Sequence, residues 1–291
     1  MMEQEKMNIQ WYPGHMTKTR RQIEADLKLV DAVCEIVDAR IPMSSRNPDI
    51  DSICGSKPRI IVLNRMDLAD PAATKAWTAY FRGKGMAVVV TDCKSRRGIG
   101  EFTPAVRSVL QEKIARDAAR GMNRPLKVMV VGIPNVGKST LINQISGRKG
   151  AKAENRPGVT RGKQWVTVDS GLLLLDTPGI LWPKFEDPEV GMMLAYTGAV
   201  KEDVIDMEEL SSRLMGLLWT RYPEKVRERY GIEAPEDATG YTLLEIAGRK
   251  RGYLLSGGEI NTERMAKVLL DEYRAGKLGR LTLEAPEVEE A

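Results

Sequence analysis

Residues 132–139 read GIPNVGKS and match the phosphate-loop pattern G-x-x-x-x-G-K-[ST]. They directly follow residues 128–131, a β-branched run that predicts the buried strand this pattern requires. Glycines let backbone N–H groups surround a β-phosphate, the Lys138 ammonium adds positive charge, and a hydroxyl at this position binds Mg²⁺. We therefore expect a nucleotide phosphate to bind here, contacted by Asn135, Val136, Gly137, Lys138, Ser139 and Thr140.

A metal-binding segment is expected at residues 176–179, which read DTPG and follow the apolar run 172–175. Asp176 is expected to hold Mg²⁺ through water, together with Ser139, and the Gly179 amide to reach the γ-phosphate. Thr160 lies between the two motifs, where a switch threonine would close over the metal and take part in catalysis with Lys138. The alternative is an ordinary loop threonine.

A base-reading segment is expected at residues 64–67, which read NRMD and follow the strand-like run 59–63. The Asp67 carboxylate can accept two hydrogen bonds from guanine N1 and N2, and adenine would leave it unpaired, which is a strong discriminator. Asn64 can bond the N7 and O6 side of the base and brace the phosphate loop. Arg65 stands where lysine is usual, and its aliphatic stem can cover the base face.

A weaker signal for a base-supporting loop lies at residues 92–94, which read DCK where S-A-K is the common form. It follows the strand-like run 86–90, and this position is the reason to expect nucleotide contacts from Asp92 and Cys93.

The order of these segments is rotated. A guanine-nucleotide domain usually runs phosphate loop, switch threonine, DxxG, base-reading motif and base-supporting loop, whereas here the last two come first. Strand-like runs followed by amphipathic segments predict a largely parallel sheet with helices on both faces. Residues 166–168 and 172–175 predict a hairpin, and residues 106–124 one charged linking helix.

The predicted fold class is therefore α/β: a P-loop GTPase domain with circularly permuted topology plus a C-terminal all-helical domain. The expected boundaries are an N-terminal segment over residues 1–13, the GTPase domain over 14–185 and the helical domain over 186–291. Apolar positions at helical spacing mark two core stripes in the last part, and Asn261 or Thr262 could cap the second helix.

Composition excludes several classes of protein. Hydrophobic residues make up 42% and charged residues 29% of the 291, as in ordinary globular proteins. No run approaches the roughly 18 apolar residues of a membrane helix, and the first 30 residues lack the apolar core of a secretion signal. Three cysteines without metal-like spacing predict reduced thiols, so we expect a cytoplasmic protein that does not contact membranes.

Charge is distributed unevenly along the chain. Residues 1–185 contain 30 Lys and Arg against 18 Asp and Glu, a surplus of 12 positive charges, whereas residues 186–291 contain 14 against 22, a surplus of 8 negative charges. The basic part predicts a nucleic-acid partner. The alternative is a merely solvated surface, because a bound nucleotide also favours basic residues nearby.

Beyond the nucleotide motifs, several short stretches resemble the ribosome biogenesis GTPase A family of circularly permuted GTPases. They read WYPGHM at 11–16, DARIP at 38–42, KRG at 250–252, SGGE at 256–259 and GKLG at 276–279. The resemblance implies that the chain binds GTP and GDP with Mg²⁺. It also implies hydrolysis of GTP on a precursor of the bacterial large (50S) ribosomal subunit, contact with rRNA and a monomeric state.

The position after DxxG bears on hydrolysis. Many GTPases have glutamine there to orient the attacking water, but here it is Ile180, which cannot bond water. We expect slow intrinsic hydrolysis, with another group supplied on the ribosomal particle. His15 is the only histidine and could orient water near the γ-phosphate; the alternatives are packing or contact with RNA.

Asn135 suggests a second ion. In cation-stimulated GTPases an asparagine at this position of the phosphate loop helps to hold K⁺ beside the phosphates. The alternative is a simple turn residue.

Three rival functions remain open. A P-loop kinase for a small molecule is disfavoured by the pair Asn64 and Asp67. A non-hydrolysing GTP-binding module is compatible with Ile180. A GTPase acting on another RNA, such as the small subunit or tRNA, would differ only in its partner.

Overall fold

The computed structural model describes residues 16–147, 164–169, 171–177, 187–200 and 206–286. These residues form two compact units, one built from residues 16–177 with 284–286 and the other from residues 187–283.

The first unit contains a six-stranded sheet. Its strands are β1 (Ala32–Asp38), β2 (Arg59–Asn64), β3 (Ala87–Val90), β4 (Leu126–Gly132), β5 (Gln164–Asp169) and β6 (Leu172–Asp176). Their order in the sheet is β3-β2-β1-β4-β6-β5, with only β5 antiparallel to its neighbour. The predicted mixed α/β sheet and the β5–β6 hairpin are therefore confirmed.

The central strands of the sheet are buried on both faces, as expected for parallel strands. All seven residues of β1 are buried, and one face of the sheet carries two hydrophobic clusters. Between them on that face lies Glu35, whose carboxylate accepts hydrogen bonds from Arg46 Nε at 3.1 Å and Arg59 Nη2 at 2.8 Å. Burial raises the pKa of Glu35 despite these two guanidinium groups.

The described residues of the first unit form six α-helices: α1 (Met16–Leu27), α2 (Ile50–Cys54), α3 (Pro71–Gly83), α4 (Phe102–Val109), α5 (Gln111–Ala119) and α6 (Lys138–Ser146). The single helix predicted over residues 106–124 is wrong. The buried residue Leu110 adopts φ −108° and ψ 13°, which separates α4 from α5. Helix α5 ends at Ala119, shortly before Gly121 with φ 67°.

Residues 284–286 also belong to the first unit. The Glu284 carboxylate accepts hydrogen bonds from the backbone N–H groups of Met43 at 2.7 Å and Ser44 at 3.0 Å. Trp77 Nε1 donates to the Glu284 carbonyl at 3.2 Å. This segment near the C-terminus therefore packs against the residues that follow β1.

The described part of the second unit is helical, with α7 (Pro188–Tyr196), α8 (Met207–Arg221), α9 (Pro223–Tyr230), α10 (Gly240–Lys250) and α11 (Thr262–Arg274). A Cβ on Gly240 would lie 1.8 Å from the Ser212 carbonyl oxygen, so only glycine permits this close packing of α10 on α8. Asn261, rather than Thr262, caps α11, because its side chain accepts from Arg264 N at 2.9 Å.

The predicted apolar stripes of α8 and α11 are buried at Leu210, Leu214, Leu218, Met265, Leu269 and Tyr273, whereas Leu217 and Val268 are half-buried at their margins. None of the described helices in either unit has the length and apolar character needed to cross a membrane.

Candidate nucleotide site

The site lies at one edge of the sheet. Because β1, β2, β3, β4 and β6 run parallel, their carboxyl ends meet at the same edge. The chain order reverses between β1 and β4, which is where open α/β sheets bind ligands. A cleft of about 690 Å³ opens there, a volume typical of small-ligand sites. It is lined by Arg65, Ile133, Pro134, Asn135, Gly137, Lys138, Ser139 and Thr140.

Two glycines of the phosphate loop are required by packing. A Cβ on Gly132 would lie 2.6 Å from Ile36 Cγ2 and 2.8 Å from the Ile36 carbonyl oxygen. A Cβ on Gly137, which has φ 102°, would lie 2.4 Å from Asn64 Nδ2. The loop can therefore pass close to β1 and β2 only without side chains at these positions, and α6 begins directly after Gly137.

Asn64 connects three segments of the site. Its Nδ2 donates to the Val136 carbonyl of the phosphate loop at 2.8 Å. Its Oδ1 accepts from the Cys93 backbone N–H at 3.1 Å and from the Thr91 hydroxyl at 3.2 Å. With 3% of its surface exposed, this amide uses both its ends to brace the phosphate loop against the loop that follows β3.

Arg65 also reaches the phosphate loop. Its Nη2 donates to the Asn135 carbonyl at 2.7 Å, and its Nε lies 3.6 Å from a carboxylate oxygen of Asp38. The guanidinium is thus engaged by the protein, while the stem is the part still available to a base. The Asp67 side chain is half-buried two residues further on.

Lys138 contacts the residues that end β6. Its Nζ lies 2.6 Å from Asp176 Oδ1 and also donates to the Thr177 carbonyl. The Thr177 hydroxyl donates to the Val130 carbonyl at 2.7 Å, which fixes this segment to β4. Ser139 follows Lys138 in the first turn of α6, so a hydroxyl and a carboxylate, both hard oxygen ligands, occupy this end of the site and fit Mg²⁺.

The loop after β3 is shaped by Asp92. Its carboxylate accepts from Lys94 N at 3.0 Å and Ser95 N at 3.2 Å, and from the Ser95 hydroxyl. Burial acts to raise the pKa of Asp92, but these hydrogen bonds hold it below its ordinary value. The carboxylate is therefore occupied in stabilising the turn.

Cys93 contributes its backbone rather than a reactive thiolate. Burial raises the pKa of Cys93 to about 11, with smaller contributions from the nearby charges of Asp92 and Asp67. Cys34 and Cys54 are buried too, and all three cysteines are free thiols. Burial raises the pKa of Cys54 to about 11 and that of Cys34 further still.

Three predicted site residues, His15, Thr160 and Gly179, lie outside the described residues, as does Ile180. Their roles stay predictions.

Sequence reasoning missed a buried ion pair next to the site. Asp38 ends β1, and Arg40 donates to its two carboxylate oxygens from Nε at 3.0 Å and from Nη2 at 2.8 Å. Arg40 is fully buried and Asp38 is 3% exposed. Burial acts to raise the pKa of Asp38, but Arg40 and then Arg65 bring it below its ordinary value. Both residues belong to the DARIP stretch at 38–42, which in the sequence indicates only the family resemblance.

Comparison with known proteins agrees with this geometry. A family model described as "50S ribosome-binding GTPase" matches residues 127–210. Ribosome biogenesis GTPase A of Priestia megaterium is 46% identical over 283 residues, covering 96% of this chain and 98% of the relative. The protein of the same description from Thermotoga maritima is 34% identical, with 96% and 95% covered.

Two solved structures superpose on nearly the whole chain. A GDP-bound structure of YlqF superposes with a TM-score of 0.63 at 30% identity, covering 92% of this chain and 100% of that one. The GNP-bound structure of YlqF from T. maritima gives a TM-score of 0.60 at 31% identity, covering 93% and 99%.

Proposed function

This chain belongs to the ribosome biogenesis GTPase A family, and we propose from that premise what it binds and where it acts. The protein binds GTP and GDP with Mg²⁺ and hydrolyses GTP slowly alone. It hydrolyses GTP faster on a precursor of the large ribosomal subunit, in late assembly. It works as a monomer in the cytoplasm.

The observation that carries the proposal is the connection made by Asn64. One buried amide joins the base-reading segment to Val136 of the phosphate loop and to Cys93 of the base-supporting loop. These segments lie far apart in sequence and in rotated order, so their convergence supports a single guanine-nucleotide pocket. Asp67, three residues after Asn64, is the residue proposed to select guanine.

The residues proposed to bind phosphate and metal lie next to each other, because Lys138 Nζ is 2.6 Å from Asp176 Oδ1. In this proposal the Lys138 ammonium binds the phosphate oxygens, and Asp176 holds Mg²⁺ through water together with Ser139 and Thr160. Mg²⁺ would supply charge neutralisation at the β- and γ-phosphates. The phosphate-loop amides orient those phosphates.

Stimulation of hydrolysis is proposed to come from the particle, since Ile180 cannot orient water. Contact of the N-terminal segment with the ribosomal surface would bring His15 to the γ-phosphate. In His15→Ala we expect stimulated turnover to be lost and GTP binding to be retained; an unchanged stimulated rate removes His15 from the mechanism. K⁺ held by Asn135 would assist, and a rate equal in KCl and NaCl would contradict this.

Contacts with rRNA are proposed for part of the basic cluster at the end of α10. Arg249 and Lys250 are exposed. Arg251 instead donates from Nη2 to the Arg229 carbonyl at 3.3 Å and lies over the Tyr230 ring, 5.3 Å from its centroid. Arg249 and Lys250 are therefore the phosphate contacts, and Arg251 stabilises the helical unit.

The test is sedimentation of the full-length protein with purified large-subunit precursors, in GDP or in a non-hydrolysable GTP analogue, with small subunits as control. We expect association with the large particles that is stronger with the analogue, and GTP turnover that rises with particle concentration. Equal association with small subunits would favour a GTPase of another RNA. Absence of turnover with and without particles would favour a non-hydrolysing module.

A further inference from the structure

Two strained residues of the nucleotide site are bonded to each other. Among the described residues, three that are not glycine have positive φ: Arg65 at 65°, Arg96 at 67° and Asn135 at 61°. The hydrogen bond from Arg65 Nη2 to the Asn135 carbonyl joins two of these three. Left-handed backbone is uncommon outside glycine and persists where the surroundings impose it. Contacts with neighbouring residues must therefore hold Arg65 in this conformation.

The group behind Arg65 is Asp38. Its carboxylate oxygen Oδ2 lies 3.6 Å from Arg65 Nε. This carboxylate cannot rotate, because Arg40 bonds both oxygens and the Arg40 backbone N–H also donates to Oδ1 at 3.0 Å. The Asp38 N–H is itself bonded to the Ser45 hydroxyl at 2.9 Å. Asp38 is thus a fixed, buried negative charge at the carboxyl end of β1.

We propose that Asp38 is a positioning residue for the nucleotide site: locked by Arg40, it fixes the Arg65 guanidinium, which in turn holds the Asn135 carbonyl and the phosphate loop. This inference rests on the proposed function, since it concerns the same nucleotide site. Asp38 and Arg40 are buried and do not line the cleft. They act through Arg65.

The inference explains why arginine occupies the position where lysine is usual. A guanidinium presents donors on separate nitrogens in a rigid fork, so Nε can face Asp38 while Nη2 bonds Asn135. The single ammonium of lysine cannot occupy both positions. Arg65 and Asp38 therefore form a matched pair, and the phosphate loop depends on both.

The first test is Arg65→Lys in the full-length protein, with dissociation of a fluorescent N-methylanthraniloyl-GDP as the measurement. The Arg65 side chain is 29% exposed, so the substitution leaves the core intact. We expect dissociation about fivefold faster, which is ~1 kcal/mol for a partly exposed ion pair. The matched control is Arg82→Lys on α3, an exposed position away from the cleft, with less than a twofold change expected. A rate for Arg65→Lys within twofold of wild type overturns the proposal.

The second test is a double-mutant cycle. If Asp38 acts through Arg65, the effect of Arg65→Lys falls below twofold in an Asp38→Asn background. An equal effect in both backgrounds means that Asp38 only stabilises the fold, and overturns its positioning role. Because Asp38→Asn removes the carboxylate to which the Arg40 guanidinium donates, Asp38→Asn with Arg40→Gln serves as a second background. Thermal unfolding checks that each background is folded.

Failure of the inference and failure of the proposed function are distinguishable. Wild-type protein that does not prefer GDP over ADP contradicts the guanine site itself. If the wild type prefers GDP but Arg65→Lys releases GDP at the wild-type rate, only the role of Asp38 is contradicted.

Discussion

Replacement of Asn64 by alanine should both destabilise the first unit and weaken nucleotide binding. The substitution deletes three hydrogen bonds at once: to the Val136 carbonyl at 2.8 Å, from the Cys93 N–H at 3.1 Å and from the Thr91 hydroxyl at 3.2 Å. Because Asn64 is only 3% exposed, the partners left behind on the β3 side gain little access to water.

The expected magnitude follows from these contacts. Each neutral hydrogen bond contributes about 0.5–1.5 kcal/mol, and a buried partner left unsatisfied adds to the loss. The Val136 carbonyl belongs to the phosphate loop beside the open cleft and can regain water, so we expect a total loss of about 2–3 kcal/mol in the free energy of unfolding. Thr91→Val removes one of the three bonds with little change in shape and should cost about 1 kcal/mol.

The assay is urea unfolding followed by tryptophan fluorescence, paired with calorimetric titration of GDP. Asn64→Ala should lower GDP affinity at least about tenfold, since the phosphate loop and the base-supporting loop lose their common brace. Asn123→Ala, at an exposed position before β4, is the matched control and should change neither quantity. A loss below about 0.5 kcal/mol with unchanged GDP affinity would refute the reasoning, because such values are typical of surface positions.

Three further predictions concern other parts of the molecule. Lys138→Met should lower GDP and GTP affinity at least about 30-fold by calorimetry, because a charge-assisted contact to phosphate is lost; comparable affinity would exclude Lys138 from phosphate binding. Glu272→Gln should lower the stability of the helical unit by about 1–3 kcal/mol at pH 7, since buried Glu272 pairs with Arg229. Burial acts to raise the pKa of Glu272, but the Arg229 hydrogen bond brings it below the ordinary value of 4.5. The stabilisation is therefore present above pH 4.5 and is lost as pH falls through the folded-state pKa of Glu272. The melting temperatures of wild type and variant should converge in acid, and a difference that persists in acid contradicts the role of the Glu272 charge. Replacing both Arg249 and Lys250 by glutamine should weaken co-sedimentation with large-subunit precursors and reduce the slope of log affinity against log salt concentration by about two. Arg251→Gln should instead lower the melting temperature, and the reverse pattern would contradict the assignment.

The sequence predicted the sheet and the phosphate loop well because both have local signals. A β-branched run followed by GIPNVGKS specifies a strand, a turn and a helix within about 20 residues. Strand β2, which ends at Asn64, and strand β3, which ends two residues before Asp92, are also short and mostly apolar, and their parallel pairing places the motifs at one edge. Local patterns are therefore sufficient to bring these motifs to one edge of the sheet.

The features that sequence did not predict depend on contacts between distant residues. In the sequence Asp38 and Arg40 resemble ordinary surface charges, yet the fold buries both, and their mutual hydrogen bonds reduce the cost of that burial. In the sequence Arg251 is indistinguishable from its basic neighbours Arg249 and Lys250, but in the fold it lies over the ring of Tyr230 at the end of α9. The packing of Glu284 against Met43 and Ser44 joins positions about 240 residues apart.

The break between α4 and α5 was missed for another reason. Residues 110–120 are mostly good helix formers, so propensity predicts no interruption at Leu110. The structure instead buries Leu110 with a backbone that departs from the helix, and tertiary packing overrides the local preference.

The selection of guanine by Asp67 is tested most directly by changing which base the side chain can bond. Calorimetric titrations would compare GDP and xanthosine diphosphate on wild type and on Asp67→Asn. Xanthine has a carbonyl where guanine has the N2 amino group, so an amide at position 67 can donate to it, whereas a carboxylate is repelled. We predict that wild type prefers GDP by about 100-fold, from two hydrogen bonds to a charged group, and that the variant prefers xanthosine diphosphate. Equal affinities of wild type for the two nucleotides, or a variant that still prefers GDP, would contradict the assignment of Asp67 and with it the guanine-nucleotide pocket.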